Sequence, residues 1–286
     1  MSTSTLTSPT ATSPPGSPPA DNLRVTFPRV VRSEWIKFRT LRSTIWTLAS
    51  MVVAIVGIVT LFCIMITSGN GGHGTPGPDT SVIAFSIAAG IAQLAVAVLG
   101  TLVITGEYST GMIRSTLAAV PRRLPALWAK GVVLTAAILL VSTVAVGISV
   151  GVMELFLRSK GLAPDFGDGQ TWRILAGVPL YLAAIALLAF AIGALLRHSA
   201  GALATVLGLL LVVPTLFQIP WRPLQLMGPF LPGTAGSTIL MAAQTGAGSP
   251  DVVGAVLSPW QGYGVLLAWV AALLAVAAVF LRRRNA

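Results

Sequence analysis

Residues 105–130, TGEYSTGMIRSTLAAVPRRLPALWAK, carry five charges, Glu107, Arg114, Arg122, Arg123 and Lys130, between two long apolar runs. Elsewhere charge is scarce: 9% of the 286 residues are charged, 55% are apolar, and mean hydropathy is +0.85. Such a composition lies outside the soluble globular range. A charged island between two apolar runs of that length is written like a loop joining two membrane-crossing helices.

Outward from that loop the same pattern recurs. Six apolar runs fall at about 44–67, 81–105, 131–157, 174–196, 199–217 and 262–281. Each is close to the ~20 residues that a helix needs to cross about 30 Å of hydrocarbon. They are too long and too uniformly apolar for the alternating strands of an outer-membrane barrel. The expected fold is an all-α integral membrane protein of six spans, with a transmembrane domain over 44–281 and a short basic tail over 282–286.

The basic residues sort by loop. Arg24, Arg29, Arg32, Lys37, Arg39 and Arg42 precede the first run; Arg114, Arg122, Arg123 and Lys130 lie between the second and third; Arg197 follows the fourth; and Arg282, Arg283 and Arg284 follow the last. The remaining segments hold only Arg158, Lys160, Arg173 and Arg222. The positive-inside rule then places both termini in the cytoplasm, in a cytoplasmic or plasma membrane. A pI near 11.3 also suits nucleic-acid binding, but no soluble basic domain or aromatic-interleaved patch is present to form a groove.

The N-terminal stretch 1–27 begins with Ser, Thr, Pro and Ala almost exclusively, a composition that predicts a disordered cytoplasmic tail. It lacks the basic start and apolar centre of a signal peptide. Cys63 is the single cysteine, so an intrachain disulfide and a cysteine-based metal site are both excluded.

Residues 28–43, PRVVRSEWIKFRTLRS, place Val31, Trp35, Phe38 and Leu41 at helical spacing, with Arg32, Lys37 and Arg39 among the intervening residues. Pro28 suits a first helical turn. A helix with aromatic residues on one side and basic residues on the other tends to lie in the headgroup plane. It reads either as a basic juxtamembrane anchor or as an elbow helix that also touches a partner.

The loop 106–130 is longer than a simple connection requires. Gly111 marks a break, Ile113, Leu117 and Val120 suit a short helix, Pro121 ends it, and Trp128 is an interfacial residue before the third span. Met112, Ile113 and Leu117 beside Arg114 would form a docking knob. Topology alone accounts for Arg122, Arg123 and Lys130. It accounts less well for Glu107 and Arg114, because acidic residues contribute little to orientation.

Three segments together, SEWIKFRTLRST before the first span, GEYSTGMIRSTLAAVPRR after the second, and FLPGTAG with LSPWQGYGVL before the last, resemble the permease subunit of an ABC-2 type ATP-binding cassette transporter. The resemblance extends from about Arg29 onward. Its most specific part is the pattern Glu107, Tyr108, Gly111 and Arg114. It implies that Glu107, Tyr108, Gly111, Met112, Ile113 and Arg114 belong to a coupling helix seated on a separate cytoplasmic ABC ATPase. It also implies that Trp35, Lys37, Phe38 and Arg39 belong to an elbow helix, and that a second permease copy or a paralogue completes an export pathway.

The residues agree with that division of labour. No G-x-x-x-x-G-K-[ST] loop occurs, and Lys37, Lys130 and Lys160 are the only lysines, so ATP and Mg would be bound by the partner and no cofactor by this chain. The spans hold almost no ionisable groups, which argues against an ion-coupled secondary transporter. His73 and His198 fall on opposite sides of the membrane and no hydrolase motif is present, which argues against an enzyme. A non-transporting membrane scaffold is the remaining alternative. Gly147 and Gly151 form a GxxxG pair suited to packing within the chain or between subunits. Pro179 and Pro214 are candidate kinks. The extracytoplasmic loop 218–261 is too apolar for free solvent, so it reads as half-inserted helices or as a lid resting on protein.

Overall fold

The computed structural model describes residues 26–68, 80–109, 123–162, 164–219, 221–241 and 257–283. Residues 1–25 of the expected N-terminal tail, residues 110–122 with the short helix read there, and the last three residues lie outside the described residues, while Phe27, read as the end of that tail, already belongs to a helix. The described chain is helical, with no strand among its residues: α1 Phe27–Thr40, α2 Arg42–Thr67, α3 Thr80–Ser109, α4 Arg123–Leu157, α5 Gly169–Leu196, α6 Ser199–Leu216, α7 Arg222–Met227, α8 Pro232–Ser237 and α9 Pro259–Arg283. Six of them, α2 to α6 and α9, are long and apolar enough to cross a membrane. Their outer faces carry large apolar side chains such as Trp46, Val53, Leu61, Val144, Trp269 and Phe280. An apolar surface of this kind suits lipid as its solvent.

Most helices run past the apolar stretches that foretell them. The third span, expected from 131, begins helical structure at Arg123, and the second continues to Ser109. Hydropathy marks only the part of a helix that needs hydrocarbon, whereas backbone hydrogen bonding continues into polar flanks.

Helix α5 is the centre of the bundle and packs on α3, α4, α6 and α9. Its buried residues occupy every side of the helix, including Val178, Tyr181, Leu182, Ile185, Leu188, Phe190 and Ile192. Glycine sets its closest approach to α3. A Cβ on Gly100 would collide with the carbonyl oxygen of Ala186, and one on Gly193 would lie 2.7 Å from Ile104 Cγ2. The GxxxG pair of α4 does something else: Gly147 and Gly151 are exposed and a Cβ on either meets nothing within 4 Å. Among the described residues that pair makes no close helix contact.

The two prolines behave differently. Pro179 sits inside an unbroken and buried α5. Pro214 follows a π-helical turn at Gly208–Val212 in α6, where Val213 N–H donates to Gly208 C=O. A proline ring displaces the carbonyl four residues earlier, and the wider turn accommodates it.

The bundle end opposite α1 is closed by polar contacts to backbone. Lys160 Nζ donates to the carbonyls of Ile66 (3.3 Å) and Thr67 (3.0 Å), serving the otherwise unpaired C-terminus of α2. Arg173 donates to Met241 C=O at 2.7 Å and Ser86 to Leu240 C=O at 2.6 Å. Around α8, Gly233, Ala235, Gly236, Ile239 and Leu240 are buried, with Gly236 against Tyr181 and Leu266. This part of loop 218–261 therefore rests on protein. The residues 242–256 lie outside the described residues.

Candidate functional site: an ion cluster at the foot of the charged loop

Helical spacing puts Glu34 and Lys37 one turn apart on α1. Glu107 is in the last turn of α3, and Lys130 lies about two turns into α4. The fold brings all four to one place. Lys130 Nζ donates to Glu34 Oε2 at 2.5 Å and to Glu107 Oε1 at 2.6 Å. Lys37 Nζ donates to Glu34 Oε1 at 3.2 Å and stands 3.7 Å from Glu107 Oε1. The side chains of Lys130 and Glu34 are each 6% exposed, and that of Glu107 10%. Glu107 Oε2 is buried and has no hydrogen-bond partner among the described residues.

Two carboxylates and two ammonium groups balance, which is the condition for keeping charge away from water. What the cluster does is mechanical: Glu107 and Lys130, one at each foot of the loop and 23 positions apart, are clamped together and tied through Glu34 to α1. Separating the feet of the loop, or tilting α1 away from them, exposes an unpaired buried charge.

A second contact stands beside the first. Arg197 ends α5 in the left-handed conformation (φ 55°), which allows the tight turn into α6. Its guanidinium carbon lies 5.5 Å from the ring centroid of Tyr108, a cation–π distance. The adjoining His198 caps α6, its Nδ1 accepting from Gly201 N–H at 3.1 Å. The short connection between α5 and α6 thus braces Tyr108.

The residues singled out from sequence distribute as follows. Glu107, Tyr108 and Lys37 belong to these contacts. Trp35 and Phe38 stack with ring centroids 6.5 Å apart, Phe38 being buried and Trp35 half-buried, while Arg39 is exposed. Gly111, Met112, Ile113 and Arg114 lie outside the described residues. Lys130, read as a topology charge, is instead the buried centre of the cluster. Glu34 was missed. The buried side of α1 is Val30, Glu34 and Phe38, not a purely apolar stripe through Trp35 and Leu41. A signal existed: Glu34 is an acid inside a basic segment, and the reasoning that set Glu107 apart applies to it equally.

Between α1, the start of α2 and the end of α3 lies a cavity of about 540 Å³. The four charged residues line it together with the apolar side chains of Phe38, Leu99, Leu102, Val103 and Val133 and the hydroxyl-bearing Thr40, Ser43, Thr44 and Thr47. No known protein-family model and no curated protein matches the chain.

Proposed function

We propose that this chain is the membrane-spanning permease subunit of an ABC-2 type transporter, acting as an exporter in a cell membrane with both termini cytoplasmic. A separate ABC ATPase binds ATP and Mg, and a second permease copy or a paralogue completes the pathway. The reading rests on the Glu107–Tyr108–Gly111–Arg114 pattern and on one observation above all. The feet of the loop bearing that pattern are joined by a buried ion pair whose lysine also holds α1. A push on the loop from a partner would therefore move α1, α3 and α4 together rather than bend a free loop. That is the mechanical property a coupling element needs, and a loop present only for topology has no use for it.

The test separates coupling from topology. Arg114→Glu and Gly111→Leu should leave the protein in the membrane at normal levels while reducing co-purification of an ABC ATPase and substrate-stimulated ATP hydrolysis. Glutamate reverses the charge of the docking knob, and leucine stiffens its break. Arg122→Glu and Arg123→Glu serve as controls. If Arg114→Glu behaves like wild type while the controls invert or destabilise the protein, the loop is a topology signal and the transport reading fails.

A further inference from the structure

At 1.5 Å per residue, Gln93 lies about 15 Å along α3 from Ile83, where the apolar span Ile83–Tyr108 begins, close to the middle of a hydrocarbon layer about 30 Å thick. Tyr181, buried in α5, donates its hydroxyl to Gln93 Oε1 at 2.5 Å. The N–H groups of Gln93 Nε2 have no partner among the described residues. Gln93 is half-buried and Nε2 is not among the enclosed unpaired atoms, so these donors face an opening. An N–H left unpaired in hydrocarbon is costly, and a polar side chain at this depth needs an acceptor beside it.

The opening follows from the course of α6. Helix α3 packs on Ser199–Leu207 of α6, whereas the π-helical turn Gly208–Val212 belongs to the part of α6 that packs toward α8, with Leu210 against Gly233. Leu207 is about 12 Å from the start of α6, and Gln93 is about 22 Å from Tyr108, which lies beside that start through Arg197. Gln93 therefore stands past the level at which the two helices part. On this stretch of α3, Ile83, Ile87, Gly90 and Leu94 form one stripe at helical spacing with Gln93 at its edge. None of them is buried, Ile83 and Ile87 are 50% and 46% exposed, and a Cβ on Gly90 would meet nothing within 4 Å.

Acyl chains at this depth offer no acceptor, and an apolar helix laid on the stripe would leave the amide unpaired. The same carboxamide on a second copy supplies what is missing, because Gln93 Oε1, accepting from Tyr181, keeps a second lone pair. We propose that this side of α3 is a self-association surface on which a second copy of the chain docks about a two-fold axis, each Gln93 donating an N–H to Oε1 of Gln93 of the partner subunit. In an isologous contact a residue at the axis meets itself, so one side chain serves as donor and acceptor at once. Gly90 lets the two backbones approach, and amide hydrogen bonds with small residues are what join helices in lipid, where burial of apolar surface gives no advantage. The proposal narrows the second copy or paralogue of the transport reading to a second copy but does not rest on that reading. A self-associating scaffold would behave alike, so self-association and ATPase co-purification can fail independently.

The experiment is oxidative cross-linking of the full chain in its membrane. Gly90→Cys keeps Gln93 and meets no neighbour within the chain, and the native Cys63 is buried, so copper phenanthroline should convert most of this variant to a disulfide-linked homodimer. Ile87→Cys on the same stripe should cross-link as well, and it keeps the test decisive if Gly90→Cys fails to insert. Gly147→Cys, in the open glycine pair of α4, should stay monomeric. Energy transfer between copies carrying donor and acceptor fluorophores at their N-termini, reconstituted in lipid vesicles, should show Gln93→Leu raising the dimer dissociation constant about tenfold, the size of two interhelical hydrogen bonds. Equal dissociation constants for wild type and Gln93→Leu, or cross-linking through Gly147→Cys but not through the α3 stripe, would overturn the proposal. So would Gly90→Cys and Ile87→Cys that stay monomeric and react freely with a water-soluble maleimide, which would assign the opening to water.

Discussion

The ammonium of Lys130 and the carboxylate of Glu34 meet at 2.5 Å although 96 positions separate them in the chain, and both are almost wholly buried. A charge pair in such a place is held by balance rather than by strength. Desolvating each ion is costly, and only the presence of the other, with Glu107 completing the set, offsets it.

Lys130→Met should consequently destabilise the protein by about 3–5 kcal/mol, because it leaves two buried carboxylates with only the partly exposed ammonium of Lys37 to balance them. Thermal unfolding in detergent would show a large fall in midpoint. Adding Glu34→Gln and Glu107→Gln to the same protein should recover much of the loss. A triple variant no more stable than Lys130→Met alone would mean that charge balance is not what holds the site.

Glycines that meet a neighbour and glycines that do not should part company. Gly100→Val puts side-chain carbons where the Ala186 carbonyl stands, and Gly193→Val does the same against Ile104. Each should cost about 1–3 kcal/mol or more through overpacking. Gly147→Val and Gly151→Val enter open space and should leave the unfolding midpoint of the isolated chain unchanged. A rank order in which α4 is the sensitive helix would contradict the packing described.

Replacing both Trp35 and Phe38 by Glu should loosen α1, since Phe38 is buried beneath it and Trp35 stacks on Phe38. Limited proteolysis would find new cleavage between Pro28 and Leu41. Deleting Ser2–Ala20 should change neither insertion nor this protection, because that composition has little apolar surface to bury. Equal protection in the double variant and in wild type would argue against a packed α1.

Orientation is open to chemical labelling. Cysteines placed at Asn70 and Gly246 should react with an impermeant thiol reagent outside intact cells, whereas those at Ser115 and Asn285 should react only after the membrane is opened. The native Cys63, fully buried in α2, should stay unreactive in both conditions. Labelling of Ser115 or Asn285 from outside would reverse the assigned topology.

By itself the sequence determined the number of helices long and apolar enough to cross a membrane, their order and, within several residues, their limits, because apolar length answers to the thickness of hydrocarbon and that condition acts on each helix alone. It also made a short helix before the first span legible, through Pro28 and the aromatic spacing. Tertiary structure alone decided which helices touch. Gly100 and Gly193 became the close-contact glycines while the more conspicuous Gly147 and Gly151 did not, since a small residue permits an approach without saying which neighbour makes it. The ion cluster belongs to the same class. Glu34, Glu107 and Lys130 sit on three separate helices, and nothing local distinguishes Lys130 from a solvated topology charge. Its role follows from where α1 crosses the ends of α3 and α4, a packing arrangement that the periodicity of no single segment records.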